Sequence, residues 1–165
     1  MSNNFNYDDV SRYTLESRDE QALISAQNEC TFMWSTRDGW PVGVIMSYIY
    51  VDKCFWLSVS SLRVRVQAVA REPRTSISIT SKGTPLSAAL SLTYKGECEV
   101  LQDQVTIDWF LPALAKRLRK DDEAAQQDFV RLNNTSNRRV LKFTPVKKIG
   151  FDSRKMRQAT IDAAR

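Results

Sequence analysis

Three strand-forming runs lie between residues 31 and 59, and two tight-turn signals separate them. The first run, Thr31–Thr36, leads into Arg37-Asp38-Gly39, and Asp-Gly between apolar runs is a strong hairpin signal. The second run, Val42–Val51, ends at Asp52-Lys53, and Cys54–Val59 follows directly. Because such short turns join neighbouring antiparallel strands, the pattern predicts a three-stranded antiparallel meander.

The second half of the chain adds strands of the same kind. They are predicted at Thr75–Thr80, Leu86–Leu101, Arg139–Phe143 and Val146–Phe151. Gly96 indicates a bulge or a close backbone approach, and Thr144-Pro145 is expected to separate the last two strands. About six antiparallel strands favour a small closed barrel, which leaves no exposed strand edge, over a parallel α/β sheet.

Helices are expected on either side of these strands. Asp8–Asn28 is predicted as one helix or two short ones, and Asp103–Leu132 as a long helical insertion with an apolar stripe, in which Pro112 marks a first turn or a kink. Leu62–Arg71 alternates like a basic strand, but Ser60-Ser61 before it and Glu72-Pro73 after it favour a short helix. The chain is expected to form one domain, residues 1–165, with a core at about 28–152 and a basic, helical, peripheral tail at 153–165.

The composition excludes several classes of chemistry. The chain contains no histidine, which excludes hydrolases with an imidazole base and histidine-rich zinc or haem sites. Its five glycines form neither GxxxxGK[ST] nor GxGxxG. The three cysteines form no CxxC pair and are expected to be buried thiols in a reducing compartment. No metal site is expected.

The segment Met1–Asp9 is polar and acidic, which predicts no signal peptide. No run of about 18 apolar residues is present that could span a membrane. The expected location is therefore the cytoplasm, without contact to a membrane.

One stretch of the sequence suits an anion. After the strand around Trp56 come hydroxyls at Ser58, Ser60 and Ser61, followed by the cations Arg63 and Arg65. Hydroxyls and free N–H groups at a helix start donate to anionic oxygens, and a guanidinium binds two oxygens at once. The alternative is a capped helix whose arginines are solvated.

The order of these segments resembles the flavin-binding split barrel of the pyridoxamine 5'-phosphate oxidase-like superfamily. The matching pieces cover roughly residues 28–152. They are the strand-turn-strand of residues 31–41, Phe55–Ser58, Arg65 eight residues before Pro73, Gly96–Leu101, and the closing segment Phe143–Asp152.

The resemblance implies a flavin mononucleotide (FMN) in a groove between two protomers of a homodimer. Arg65 falls on the basic phosphate-binding position, with Ser58, Ser60, Ser61 and Arg63 as supporting contacts. The backbone of Val44, Ile45 and Met46 is expected to pass the isoalloxazine ring. Trp56 and Trp109 are expected either to cover the ring or to belong to the core.

The chain also departs from the true pyridoxamine phosphate oxidases. It has Val42-Gly43-Val44 where they carry an arginine, and it lacks their C-terminal signature of arginine and histidine, so oxidation of vitamin B6 is not expected. What remains is a flavin-dependent oxidoreductase acting on another small organic substrate, with water, Tyr48 or Tyr94 as proton donors. Ala68 stands where the family often has asparagine; a deazaflavin-dependent reductase and a non-catalytic flavin-binding module stay as alternatives.

The net charge of +5 and the basic clusters Lys116–Lys120 and Arg154–Arg157 raise nucleic-acid binding as an alternative. The first cluster is followed at once by Asp121-Asp122-Glu123, and the net charge is modest for 165 residues. Solvated helix faces, or a rim that attracts an anionic cofactor or substrate, explain these charges better, so no nucleic-acid partner is expected.

Overall fold

A computed structural model describes residues 6–164 of the chain. The segment used to predict the absence of a signal peptide starts at Met1, and its first five residues lie outside this range. Within the described residues the strands are β1 (Glu29–Ser35), β2 (Pro41–Val51), β3 (Cys54–Ser60), β4 (Arg74–Thr80), β5 (Leu90–Leu101) and β6 (Arg138–Asp152). The helices are α1 (Ser17–Ala26), α2 (Val64–Arg71), α3 (Gln104–Leu118), α4 (Glu123–Asn133) and α5 (Ser153–Ala163).

The six strands close into one antiparallel barrel in the order β1-β2-β3-β6-β5-β4. Hairpins join β1 to β2 and β2 to β3, as their turn residues predict, and Thr31–Met33 closes the ring by pairing with Ser76–Ser78 of β4. Asp52 and Lys53 both have positive φ, the backbone conformation that a two-residue type I′ hairpin turn requires. The predicted barrel and helical α2 are confirmed.

The β5–β6 ladder carries a bulge in β6, where Val146 is the extra residue, between the partners of Lys95 and Gly96. The register shifts between Lys95 and Gly96, where Gly96 pairs with Pro145. The prediction that Thr144-Pro145 separates two strands is wrong, since β6 is one continuous strand. Pro145 is tolerated because it lies beside the bulge, where a ladder accepts a proline. The helical insertion therefore precedes one long strand, and not two.

Two further boundaries differ from the predictions. α1 begins at Ser17, whereas residues 8–16 contain only turns and irregular backbone. The predicted long helix over 103–132 is two helices, since the chain turns at Asp121, which has φ 63°. Asp103 and Asp122 cap α3 and α4 by accepting from Thr106 N and Ala125 N. Pro112 lies inside α3.

The core has two layers. The inward faces of the six strands form a buried cluster inside the barrel, with Phe32, Tyr48, Phe55 and Phe143 among its fully buried members. A second cluster forms outside the barrel, where α3 packs on Ile49 and Val140. Cys30, Cys54 and Cys98 are buried free thiols, as predicted. α5 is helical, as predicted for the tail, and contacts α1 through an Arg154–Asp19 ion pair.

Candidate functional site

The strands β2 and β3 close the barrel through a short pairing, and beyond it they separate. The two strands pair only over Tyr48–Val51 and Cys54–Leu57. Before Tyr48, β2 stays paired with β1 alone, and after Leu57, β3 stays paired with β6 alone. We call the gap between Gly43–Ser47 of β2 and Ser58–Ser60 of β3 the split.

The edge of β2 that faces the split carries unused backbone groups. At the two ends of the β1–β2 ladder, Thr36 N donates to Trp40 O at 2.9 Å and Tyr48 N donates to Asn28 O at 3.3 Å. In an antiparallel ladder every second residue bonds to the same neighbour, so the even-numbered residues of β2 bond to β1. The N–H and C=O groups of Gly43 and Ile45 therefore point into the split, where no strand takes them.

The loop that leads from β3 into α2 places two arginines at the split. Ser60 shapes the turn, because its carbonyl accepts from Arg63 N at 3.0 Å and its hydroxyl accepts from Leu62 N at 3.3 Å. Arg63 is the N-cap residue of α2, and its side chain makes no capping bond. With no acidic residue in the first turn of α2, the free N–H groups and the helix dipole leave this end positive.

A cavity of about 640 Å³ lies between the start of β2 and α2. Val42, Gly43 and Val44 form its floor, and Trp34 lines it from β1. Its lining contains no Asp or Glu among the described residues. Four cations line it: Arg37, Arg63, Arg65 and Arg71. This excess of positive charge predicts an anionic ligand.

Arg65 is the one of these four cations that has a buried nitrogen without a partner among the described residues. Its Nε is buried and has no hydrogen-bond partner in the part of the chain that the structure describes. Burial, and the neighbouring charge of Arg63, lower the pKa of its guanidinium. Removing an ionised group from water without a partner costs free energy, and an anion bound at Arg65 would offset that cost.

A second cavity of about 260 Å³ lies on the other side of Arg65. Ile45, Met46 and Ser47 line it from β2, Ser58 from β3, and Arg138 from β6. Arg138 donates to Ser58 Oγ at 3.0 Å. Arg65 therefore faces two cavities, both of which open at the split.

The structure brings most of the predicted site residues together. Arg63 and Val44 line the larger cavity, Ser58, Ile45 and Met46 line the smaller one, and Arg65 lines both. Ser60 ends β3 and Ser61 lies in the loop that follows, and neither residue lines either cavity. Ser61 binds the loop before β6, since its N donates to Asn137 O at 2.8 Å and its hydroxyl lies 3.2 Å from Asn137 Oδ1.

The two predicted tryptophans lie away from both cavities. Trp56 contacts Trp109 in an edge-to-face arrangement with ring centroids 4.8 Å apart. The indole Nε1 of Trp56 donates to Val51 O at 3.1 Å. Of the two roles considered, packing against the outer helical layer is the one these contacts fit.

The candidate proton donors lie in the barrel core. Tyr48 is fully buried and donates to Ile24 O at 2.9 Å, and Tyr94 donates to the Glu20 carboxylate. Burial raises the pKa of both phenols. Neither residue lines a cavity at the split, so this geometry gives neither tyrosine a path to a ligand there.

Three residues of the site escaped prediction: Arg37, Arg71 and Arg138. Arg37 follows β1 in the hairpin turn, and Arg71 ends α2, where it donates to Ser35 O at 3.0 Å. Arg138 lies 73 residues after Arg65 in sequence, and only the pairing of β3 with β6 brings it to the split. The only sequence signal at Arg138 is a charged residue at the start of a strand. This signal does not indicate which strand lies beside it.

The described residues hold no group of three or more His, Cys, Asp or Glu side chains placed to bind a metal ion. None of their helices is long and apolar enough to cross a membrane.

Several solved structures have a fold similar to that of this chain. A conserved hypothetical protein from Mycobacterium tuberculosis matches with a TM-score of 0.74 and 18% identity, over 88% of this chain and 90% of that one. An FAD-binding protein from Mesorhizobium loti matches with a TM-score of 0.62 and 17% identity, over 83% and 94%. An F420 reductase matches with a TM-score of 0.57 and 14% identity, over 78% and 94%.

At sequence identities this low, the structural similarity establishes the fold alone. No family model matches the sequence, and no curated protein is similar enough to match it. The six-stranded split barrel with its surrounding helices, expected from the order of strands and turns, is confirmed.

Proposed function

We propose, from the premise that this chain has the split barrel of the pyridoxamine 5'-phosphate oxidase-like superfamily, that it binds FMN at the split. We further propose that it acts as an oxidoreductase on a small organic substrate. The observation that carries the proposal is the buried, unpartnered Nε of Arg65 beside the unpaired edge of β2.

The phosphate of FMN suits the start of α2. A phosphate needs cationic donors with no competing carboxylate, and Arg63 and Arg65 line a cavity that contains none. A guanidinium provides five N–H donors, and Arg65 makes no bond with them to the described residues. Arg37 and Arg71 strengthen the positive potential at the mouth of the same cavity.

The ring system suits the edge of β2. The N–H and C=O groups of Gly43 and Ile45 point into the split and match the donors and acceptors at the pyrimidine end of an isoalloxazine. Val44 lines one cavity, and Ile45 with Met46 lines the other. Gly43 and Ile45 would therefore position the ring through their backbone, whereas the backbone N–H and C=O groups of Val44 and Met46 bond to β1.

The flavin would supply the redox chemistry, and the side chains of this protein would bind and orient it. A chain without histidine is suited to this division of roles. The buried Tyr48 and Tyr94 are excluded from our proposal as proton donors, which leaves water to supply the proton.

A homodimer would complete the site. Several large apolar side chains surround the split and are solvent-exposed in the single chain: Leu62 is 78% exposed, Val64 76% and Ile45 64%. Exposed apolar patches of this kind mark association surfaces. A second copy of the chain placed there would bury them and cover the ring.

A deazaflavin is the second candidate cofactor, because one structural neighbour is an F420 reductase. The arginines at the split do not distinguish the two, since both cofactors present a phosphate to the protein. The chromophores differ in their visible absorption, so the same binding experiment separates them.

The purified protein is titrated with FMN, riboflavin and a deazaflavin, and binding is measured by the quenching of cofactor fluorescence. We expect saturable binding of FMN with one site per chain and weaker binding of riboflavin, which lacks the phosphate. Equal affinity for riboflavin would contradict a phosphate site at Arg65, and binding of none of the three would refute the proposal.

Turnover is tested separately from binding. The loaded protein is mixed with NADH or NADPH under anaerobic conditions, and bleaching of the flavin absorption is followed. Bleaching, with recovery when an acceptor is added, supports an oxidoreductase. Stable binding without bleaching by either nucleotide would favour the flavin-binding module.

A further inference from the structure

The smaller cavity at the split is built around a second guanidinium. Arg138 donates from Nε to Asn133 O at 2.8 Å, from Nη2 to Asn133 Oδ1 at 2.7 Å, and from Nη1 to Ser58 Oγ at 3.0 Å. These bonds hold the planar group between the end of α4 and β3. Its orientation is thus fixed from both sides.

The bonds of Arg138 do not exhaust its donors. A guanidinium has five N–H groups, and three are used, which leaves one on each terminal nitrogen without a partner among the described residues. Arg138 forms no ion pair with a described carboxylate. Burial lowers the pKa of its guanidinium, and no nearby carboxylate opposes that shift.

The surroundings of Arg138 contain further donors and no opposing charge. The cavity of about 260 Å³ is lined by Arg65, Ser47 and Ser58, which carry further donors, and by Asn133, whose amide accepts from Arg138 and donates to Phe129 O. Ser58 already accepts from Arg138, so its own O–H is available to donate. Leu114 and Phe129 form an apolar wall, which strengthens the interaction of a bound charge with the arginines.

We propose that this cavity is an oxyanion-binding subsite, in which Arg138 and Ser58 hold a carboxylate or phosphate group of the substrate beside the ring. This inference rests on the proposed flavin site, since Arg65 lines both the subsite and the larger cavity. It narrows the substrate to a small anionic compound. Arg138 would act as a specificity-determining residue that contacts the substrate.

The alternative assignment of Arg138 is purely structural. Its bonds to Asn133 satisfy the end of α4, and an arginine is suited to that role. A structural role would use the donors that already have partners. It does not explain why two N–H groups of Arg138 lack a partner among the described residues, or why Arg65, Ser47 and Ser58 line the same small cavity.

The test uses the FMN-loaded protein and two probes, sodium phosphate and sodium acetate, at constant ionic strength set with NaCl. Binding is followed by the change in the flavin visible spectrum and by the shift in melting temperature. We expect saturable binding of at least one probe. Phosphate alone would indicate a phosphorylated substrate, and acetate alone a carboxylic acid.

The decisive variant is Arg138→Gln, with Arg138→Lys as the conservative change and Arg131→Gln as the control. Arg131 is an exposed arginine of α4 that pairs with Asp128, so its loss changes the net charge equally. We expect Arg138→Gln to weaken probe binding about tenfold or more, Arg138→Lys to weaken it less, and Arg131→Gln to leave it unchanged. The affinity for FMN should stay within about twofold in all three, in keeping with a site that lies outside the cofactor contacts.

Three results would overturn the subsite. The first is that neither probe binds the loaded protein. The second is that the Arg138→Gln variant binds the probes as well as the wild type does. The third is that this variant loses affinity for FMN in parallel with its affinity for the probes. The last result would make Arg138 a cofactor ligand. If the wild-type chain binds no flavin, the proposed function fails on its own, and the melting-temperature titration of the unloaded protein still decides whether Arg138 binds an oxyanion.

Discussion

The guanidinium of Arg117 lies over the ring of Tyr48, 5.2 Å from its centroid, and both side chains donate to the same carbonyl, Ile24 O, at 2.9 Å. Arg117 also donates to Gln27 O at 2.5 Å. Arg117, which belongs to α3, therefore caps the carboxyl end of α1. A residue of the basic cluster 116–120 thus has a structural role, which leaves less positive charge free for a nucleic acid.

Replacing Arg117 by methionine should lower the free energy of unfolding by about 2–3 kcal/mol, because several bonds from a charged donor are lost. Tyr48→Phe should cost about 1 kcal/mol, since Ile24 O keeps its bond from Arg117. Chemical denaturation measures both.

The same Tyr48→Phe variant tests the tyrosine's role in turnover. Any reduction of the bound cofactor should proceed at the wild-type rate, because the hydroxyl lies in the core. A drop of tenfold or more would show that Tyr48 delivers a proton.

Gly96 should not tolerate a side chain. A Cβ at this position would lie 2.2 Å from Thr144 O, a backbone atom that has no room to move within the ladder. Gly96→Ala is therefore expected to destabilise the protein by about 2 kcal/mol. Gly150→Ala is the control, because its nearest contact is the tip of Leu15 at 3.3 Å. Equal melting temperatures for the two variants would contradict the bulge geometry.

The thiols should be unreactive in the folded protein. All three cysteines are buried, and burial raises the pKa of Cys30 to about 12. Since the thiolate is the reactive form, a disulfide reagent at pH 8 should modify the native protein slowly and should modify three thiols per chain once guanidinium chloride unfolds it. Rapid modification before unfolding would contradict the burial of these side chains.

The ion pair of Asp152 with Arg154 should make stability depend on pH in acid. Asp152 is 1% exposed, and the hydrogen bonds from Arg154 hold the pKa of its carboxyl below the ordinary value. A carboxyl with a lowered folded-state pKa stabilises the fold above its unfolded-state pKa, about 3.9, and this contribution is lost as the pH falls through the folded-state pKa. Asp152→Asn should cost about 1 kcal/mol at pH 7 and progressively less below pH 4; a pH-independent difference in unfolding free energy would exclude this linkage.

The sequence predicted the features that depend on near neighbours. The hairpins at Asp38-Gly39 and Asp52-Lys53, the helix before Pro73 and the irregular position at Gly96 all follow from local backbone preferences. The continuous β6 did not follow, because Pro145 breaks a strand except beside a bulge, and the bulge at Val146 exists only where β6 pairs with Gly96 of β5. Gly96 lies 49 residues before Pro145 in sequence.

The site divides in the same way. Arg63 and Arg65 belong to a local strand-turn-helix pattern and were found from it. Arg138 and the separation of β2 from β3 depend on which strands become neighbours, which a single sequence does not state. For Trp56 and Trp109 the sequence left open a role at the ring and a role in the core, and their edge-to-face contact fits the second.

The affinity of the Arg65→Ala variant for FMN tests the central claim most directly. Fluorescence titration should give a dissociation constant about 10 to 150 times that of the wild type, equivalent to about 1.5–3 kcal/mol for bonds to a charged group. Arg131→Ala serves as the control, and circular dichroism verifies that each variant is folded. A folded Arg65→Ala protein with wild-type affinity for FMN would contradict the proposed flavin site.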